Sequence, residues 1–162
     1  MRKLICTINQ TLDGCFNHDA MTAPDAELGE YSINMVRNAG AFIYGRKTYQ
    51  LMVPYWPDAA KDKTAHKSKA DFAEAFCAID QMVVVSETLD RIVSENTLII
   101  RSNLYNEVLK LKQQEGKHIL TGGVDVPSQL IQLGLVDEYH IVVHPVFAGK
   151  GRRLFENAEL AE

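Results

Sequence analysis

The 162-residue chain contains only three cysteines and one tryptophan, and its formal net charge is only −4. Each shortage excludes something. Cys6, Cys15 and Cys77 are odd in number and widely spaced, which fits neither a disulfide framework nor a CxxC metal site. They read as reduced thiols, which usually behave as small buried hydrophobes. Lysines and arginines are scattered among the acids, so no broad basic surface exists for a phosphate backbone, and nucleic acid is not an expected partner. No long hydrophobic run is present: Asn9, Gln10 and Asp13 interrupt the first one well before a signal-peptide core or a membrane span is complete. The expectation is a soluble, cytoplasmic protein with no membrane partner.

Motifs for several metal chemistries are missing too. No His-x-Glu accompanied by a CxxC occurs, which sets zinc-dependent deamination aside. The histidines at 18, 66, 118, 140 and 144 make no convincing metal set. His140 and His144 are an even number apart on one expected strand, so they share a face and read as packing residues. Repeats, low-complexity tracts and long linkers are also absent. With 46% hydrophobic content, residues 1–162 are expected to form one domain around one core.

What is present is an alternation of apolar runs and helical patterns. Strands are expected at Leu4 to Ile8, Ala41 to Tyr44, Met82 to Val85, Thr97 to Arg101, His118 to Thr121 and Tyr139 to Val146. Helical patterns lie at Asp25 to Asn38, with Ala39-Gly40 as its stop, at Asp71 to Ile79 after a solvated stretch from Lys61 to Lys69, and at Asn103 to Gln114. Another helix opens after Gly45 and is expected to break at Pro54, Trp56 and Pro57. Pro127 to Leu133 forms a short helix with Gly134 just past its end. Strands that read as continuous apolar runs between helices define an α/β class with a mainly parallel sheet covered on both faces.

Three strands end in small or polar turns: Gly45-Arg46-Lys47-Thr48, Ser86-Glu87-Thr88 and Thr121-Gly122-Gly123, the last followed by Val124. Ligands bind at the carboxyl ends of strands in such sheets. A helix start with two cations suits phosphate, a glycine pair lets backbone approach a pyrophosphate, and Ser86 and Thr88 offer hydroxyls for a ribose or its phosphate. Singly, each turn also reads as an ordinary helix start, cap or turn. Together they favour a dinucleotide. Trp56, between prolines, reads equally as a flank for a substrate ring or as a core anchor.

These blocks, with Thr11-Leu12-Asp13-Gly14, Phe42-Ile43-Tyr44 before Gly45 and the run from Gly134 to Phe155, resemble the dihydrofolate reductase superfamily, in the branch of the riboflavin-biosynthesis pyrimidine reductases. The resemblance implies a dihydrofolate reductase-like three-layer fold, NADPH as cofactor and reduction of a C=N bond in a small heterocyclic or imine substrate. It places Gly45, Arg46, Lys47, Thr48, Ser86, Glu87, Thr88, Gly122, Gly123 and Val124 around the cofactor and Leu12, Asp13 and Gly14 near its nicotinamide. It assigns no metal. Folate reductases carry an acid in the helix before the Gly-Arg turn, and ungapped counting from Gly45 lands on Gly29. Asp13 and Glu30 therefore stand only as candidates for the catalytic acid, with Glu27 a neighbour. Glu87 stands where relatives often carry a base beside the 2′-phosphate, which sets it against NADPH unless it turns outward. Relatives usually continue into a final strand beyond the point where this sequence stops at Glu162. The edge after Val146 is thus expected to be covered by Gly149 to Glu162 or by a second chain in a homodimer. The alternative reading is a dinucleotide-binding domain of the same fold without catalysis.

Overall fold

In the computed structural model, which describes residues 1–16, 21 and 25–154, the apolar runs become six parallel strands. They are β1 (Leu4–Thr11), β2 (Ala39–Gly45), β3 (Gln81–Val85), β4 (Thr97–Ile100), β5 (His118–Thr121) and β6 (Glu138–His144), in spatial order β4-β3-β2-β5-β1-β6. Every pairing between these strands is parallel. Parallel neighbours need crossovers, and α1 (Ala26–Arg37), α2 (Arg46–Ala59), α3 (Lys67–Cys77), α4 (Leu104–Gln113) and α5 (Asp125–Gln132) supply all but one of them. Between β3 and β4 the chain crosses without a helix.

Side chains alternate across the sheet, so each strand feeds two cores. Ile5, Phe42, Tyr44, Val84 and Leu120 pack beneath α1, α2 and α3. One residue along, Leu4, Ala41, Ile43, Val83 and Ile119 pack beneath α4 and α5. The fold is therefore the α/β three-layer arrangement expected, with helices on both faces.

Several boundaries differ from the sequence pattern. Helix α2 runs through Pro54 and Pro57 to Ala59 instead of breaking there. An interior proline costs a helix about 3 kcal/mol, but here Tyr49, Val53 and Ala59 are buried, and Trp56 packs 4.4 Å from the ring of Phe72. Trp56 is thus an anchor of the core. Helix α3 starts at Lys67, inside the stretch expected to be a solvated connection; on its first turn Lys67 is exposed and pairs with Asp71, while the Lys69 ammonium lies over the Tyr55 ring. Ala39 and Gly40 open β2 and do not simply stop α1. A Cβ at Gly40 would meet Arg2 Nη2 at 3.1 Å and Asp80 Oδ2 at 3.3 Å, so the glycine makes room for those charges. Strand β1 extends to Thr11, because its polar second half pairs with β6 from Asn9↔Val142 to Thr11↔His144.

Among the described residues, β6 pairs only with β1. The segment up to Leu154 does not run along its outer edge. It turns back to the loop after β1, where Leu12 N–H donates to Val146 O at 2.9 Å and Phe16 N–H to Arg152 O at 2.9 Å. The rest of the expected cover, with Phe155, lies outside the described residues, as does His18.

Candidate functional site

Neighbouring strands β1 and β5 send the chain in opposite directions. From β1 it passes through α1, past β5, to β2; from β5 it passes through α5, past β1, to β6. The two helices lie on opposite faces of the sheet, which opens a crevice at the carboxyl ends of the strands. A cleft of about 650 Å³ occupies this place.

One end of the cleft is made by the starts of two helices. Gly45 is the N-cap of α2 and Val124 that of α5, and among the described residues neither helix start is capped by a side chain. The first amides of a helix have no intrahelical acceptor, and Arg46, Lys47 and Thr48 carry them into the wall of the cleft. Gly122, Gly123 and Val124 form the opposite wall. The two walls approach closely: a Cβ at Gly45 would lie 3.3 Å from Val126 Cγ2, and one at Gly123 would lie 2.9 Å from Thr48 Oγ1. Gly123 has φ +91°, a conformation that favours glycine.

Other expected residues stand outside this wall. Ser86, Glu87 and Thr88 follow β3 but do not line the cleft. The Ser86 hydroxyl accepts from Thr88 N–H at 3.2 Å and Leu89 N–H at 3.0 Å, while the Arg101 guanidinium donates to the carbonyls of Glu87 and Leu89 at 2.8 Å each. The turn is therefore held by its own bonds. The Glu87 side chain is exposed.

Leu12, Asp13 and Gly14 form a turn above β1, and from this loop it is Phe16 that reaches the cleft. The Asp13 carboxylate accepts from the Thr11 hydroxyl at 2.5 Å and from the amides of Ala148 and Gly149 at 3.1 and 2.8 Å. These bonds, that of Thr11 first, hold it well below the usual carboxylate range. Asp13 is thus a structural anion with no proton to give at neutral pH. Glu30 is exposed on α1 and does not line the cleft.

The structure adds residues the sequence reading passed over. Thr7 and Asn9 on β1 line the cleft; their signal was a polar residue at every second position, Thr7, Asn9 and Thr11, following an apolar start. Helix α1 contributes Tyr31, Ser32 and Met35, and Met52 and Phe72 complete an apolar side. The one acid among the described lining residues is Asp125. Arg152 binds it through both terminal guanidinium nitrogens, Nη1 at 3.3 Å, and this pairing keeps the carboxyl below its ordinary range. Twenty-seven residues separate the pair, so no local pattern announces it. Neither His140 nor His144 belongs to a metal cluster: among the described residues no group of three or more histidine, cysteine or acidic side chains is placed to hold an ion. His144 Nε2 lies 3.2 Å from Asn9 Oδ1. Among the described residues no helix is long and apolar enough to cross a membrane.

The fold, with its cleft at the strand ends, is that of the dihydrofolate reductases. It is similar to dihydrofolate reductase from Enterococcus faecalis complexed with NADP(H), at a TM-score of 0.59 and 15% identity over 97% of this chain and 79% of that one. A protein from Shewanella sp. PV-4, provisionally described as a riboflavin biosynthesis protein, gives a TM-score of 0.66 at 16% identity over 98% and 86% of the two chains. The protein belongs to the RibD C-terminal domain family, which it matches over residues 2–162. Its relative YyaP of Bacillus subtilis (strain 168), itself uncharacterised, is 31% identical over 95% of this chain and 80% of that protein.

Proposed function

We propose that the protein is an NADPH-dependent reductase of a C=N bond in a small heterocyclic or imine substrate, of the class of the ribosylamino-pyrimidine of riboflavin biosynthesis. The observation that carries this reading is the meeting of two uncapped helix starts across one cleft, Gly45–Thr48 facing Gly122–Val124. The residues suit the cofactor. The amides at the start of α2 and the cations of Arg46 and Lys47 would hold phosphate, and the glycine pair presents backbone with no Cβ to fill the space a pyrophosphate needs. Family membership and the NADP(H) bound by the Enterococcus enzyme support the same assignment.

When bound, the reduced nicotinamide supplies a hydride. The chain's own work is to orient the two rings and exclude water, for which Met35, Met52 and Phe72 give an apolar wall. A second reading, a binding domain without catalysis, is favoured by one observation: the single acid among the described lining residues is already paired with Arg152. The deciding experiment combines an NADPH binding titration with loss of nicotinamide absorbance across a panel of pterins and aminopyrimidines. Turnover of any panel member establishes the reductase. Tight binding without turnover establishes the binding domain, and absence of both overturns the assignment.

A further inference from the structure

Reduction of a C=N bond consumes a proton as well as a hydride, and Asp13 and Asp125 are both held ionised by their partners. A different ionisable group, Tyr31, lines the cleft wall and is backed by others outside it. Tyr31, on the cleft side of α1 one turn before Met35, extends toward β6, where its hydroxyl meets Nδ1 of His140. The two rings are stacked with centroids 6.1 Å apart. On the other side of the imidazole, Nε2 lies 3.6 Å from Glu138 Oε2, and the second carboxylate oxygen of Glu138 holds the Lys3 ammonium. The hydrogen bond from Lys3 keeps the Glu138 carboxyl below its ordinary range. Lysine, carboxylate, imidazole and phenol thus run in series, and of the four Tyr31 is the one that lines the cleft.

We propose that the Tyr31 hydroxyl is the catalytic proton donor, and that His140, backed by Glu138, positions it and restores its proton. This rests on the reductase reading. In the step, the Tyr31 Oη–H bond breaks as an N–H bond forms on the substrate nitrogen. The hydride, with its two electrons, comes from the reduced nicotinamide. The electron pair left on Oη takes the Nδ1 proton of His140 in its imidazolium form. The neutral imidazole regains a proton from water, to which the His140 side chain is 28% exposed. Each turnover therefore draws one proton from solvent. A purely mechanical role, in which Tyr31 only ties α1 to β6, leaves the same proton to reach the substrate without passing through Oη.

Tyr31→Phe keeps the ring and removes the proton, and general acids typically contribute about 100-fold or more to rate. The expected result is a kcat at least about 100-fold lower, with NADPH affinity within about twofold of wild type. His140→Gln is expected to lower kcat about tenfold without raising KM, the signature of a group acting only in the reacting complex. Wild-type turnover should slow in deuterated water and lose that sensitivity in Tyr31→Phe. Independently of turnover, the imidazole nitrogen resonances of His140 in the ligand-free protein should shift when Tyr31 becomes phenylalanine. Turnover that survives Tyr31→Phe overturns the donor role alone, and unshifted His140 resonances overturn the coupling on which it rests. Failure of wild type to oxidise NADPH with any panel substrate overturns the reductase reading and the donor role with it.

Discussion

The two glycines after β5 do different things. Alanine at Gly123 would have to adopt φ +91° with its Cβ 2.9 Å from Thr48 Oγ1, so it strains the fold before any ligand arrives. Gly122 is the selective probe, because a Cβ there would meet Thr7 O at 3.4 Å, an ordinary contact. Gly122→Ala is expected to keep its thermal midpoint while NADPH binds at least about tenfold more weakly, or about 1.4 kcal/mol. Wild-type affinity in this variant would remove the glycines from the cofactor site. Arg46→Ala is expected to weaken NADPH by about 1.5–3 kcal/mol, the range for a hydrogen bond to a charged group, and NADH much less. Equal weakening of both in paired titrations would contradict a role at the 2′-phosphate. Asp13 makes a pH prediction. Its carboxyl titrates below its ordinary value of 3.8, so its bonds stabilise the fold at all higher pH and are lost as pH falls from about 4 toward the lowered value. Thermal midpoints measured from neutral to acid pH should fall less steeply below about pH 4 in Asp13→Asn than in wild type; parallel profiles would contradict the assignment.

Among the elements, the start of β6 is fixed by charge. The Lys112 ammonium, from the buried face of α4, donates to Leu135 O at 2.8 Å and pairs with Asp137, whose carboxylate also accepts from Leu4 N–H at 2.7 Å. Lys112 is buried whereas Asp137 is 34% exposed, so removing the carboxylate strands a buried ammonium at a cost below the about 3–5 kcal/mol of a fully buried pair, while replacing the ammonium by an apolar chain of similar length costs less. Denaturant unfolding should therefore show Asp137→Ala to be more destabilising than Lys112→Met, and the reverse order would contradict a buried ammonium held by Asp137. The strands were largely legible because buried parallel strands are plain apolar runs, and His118–Thr121 falls where the pattern puts it. The helix boundaries were less so. Pro54 and Pro57 are strong local breakers, but Tyr49, Val53 and Trp56 draw α2 onto α3 from residues distant in sequence, and no local pattern carries that contact.

For the molecule as a whole, the glycine and basic turns were readable because each ends an apolar run, and the topology brings two of the three to one cleft. The remainder was hidden for a physical reason. Asp13 looked like a candidate acid until the amides of Ala148 and Gly149, more than 130 residues away, were seen to occupy it. Tyr31 gained chemical meaning only when His140 was placed opposite it. The central claim is that one dinucleotide lies between the starts of α2 and α5. The most direct test is to titrate NADPH into the isotopically labelled protein while following the backbone amide resonances. Saturable shifts are expected to concentrate at residues 45–48 and 122–124, whereas saturable binding that leaves those amides unmoved, or no binding at all, would contradict that placement.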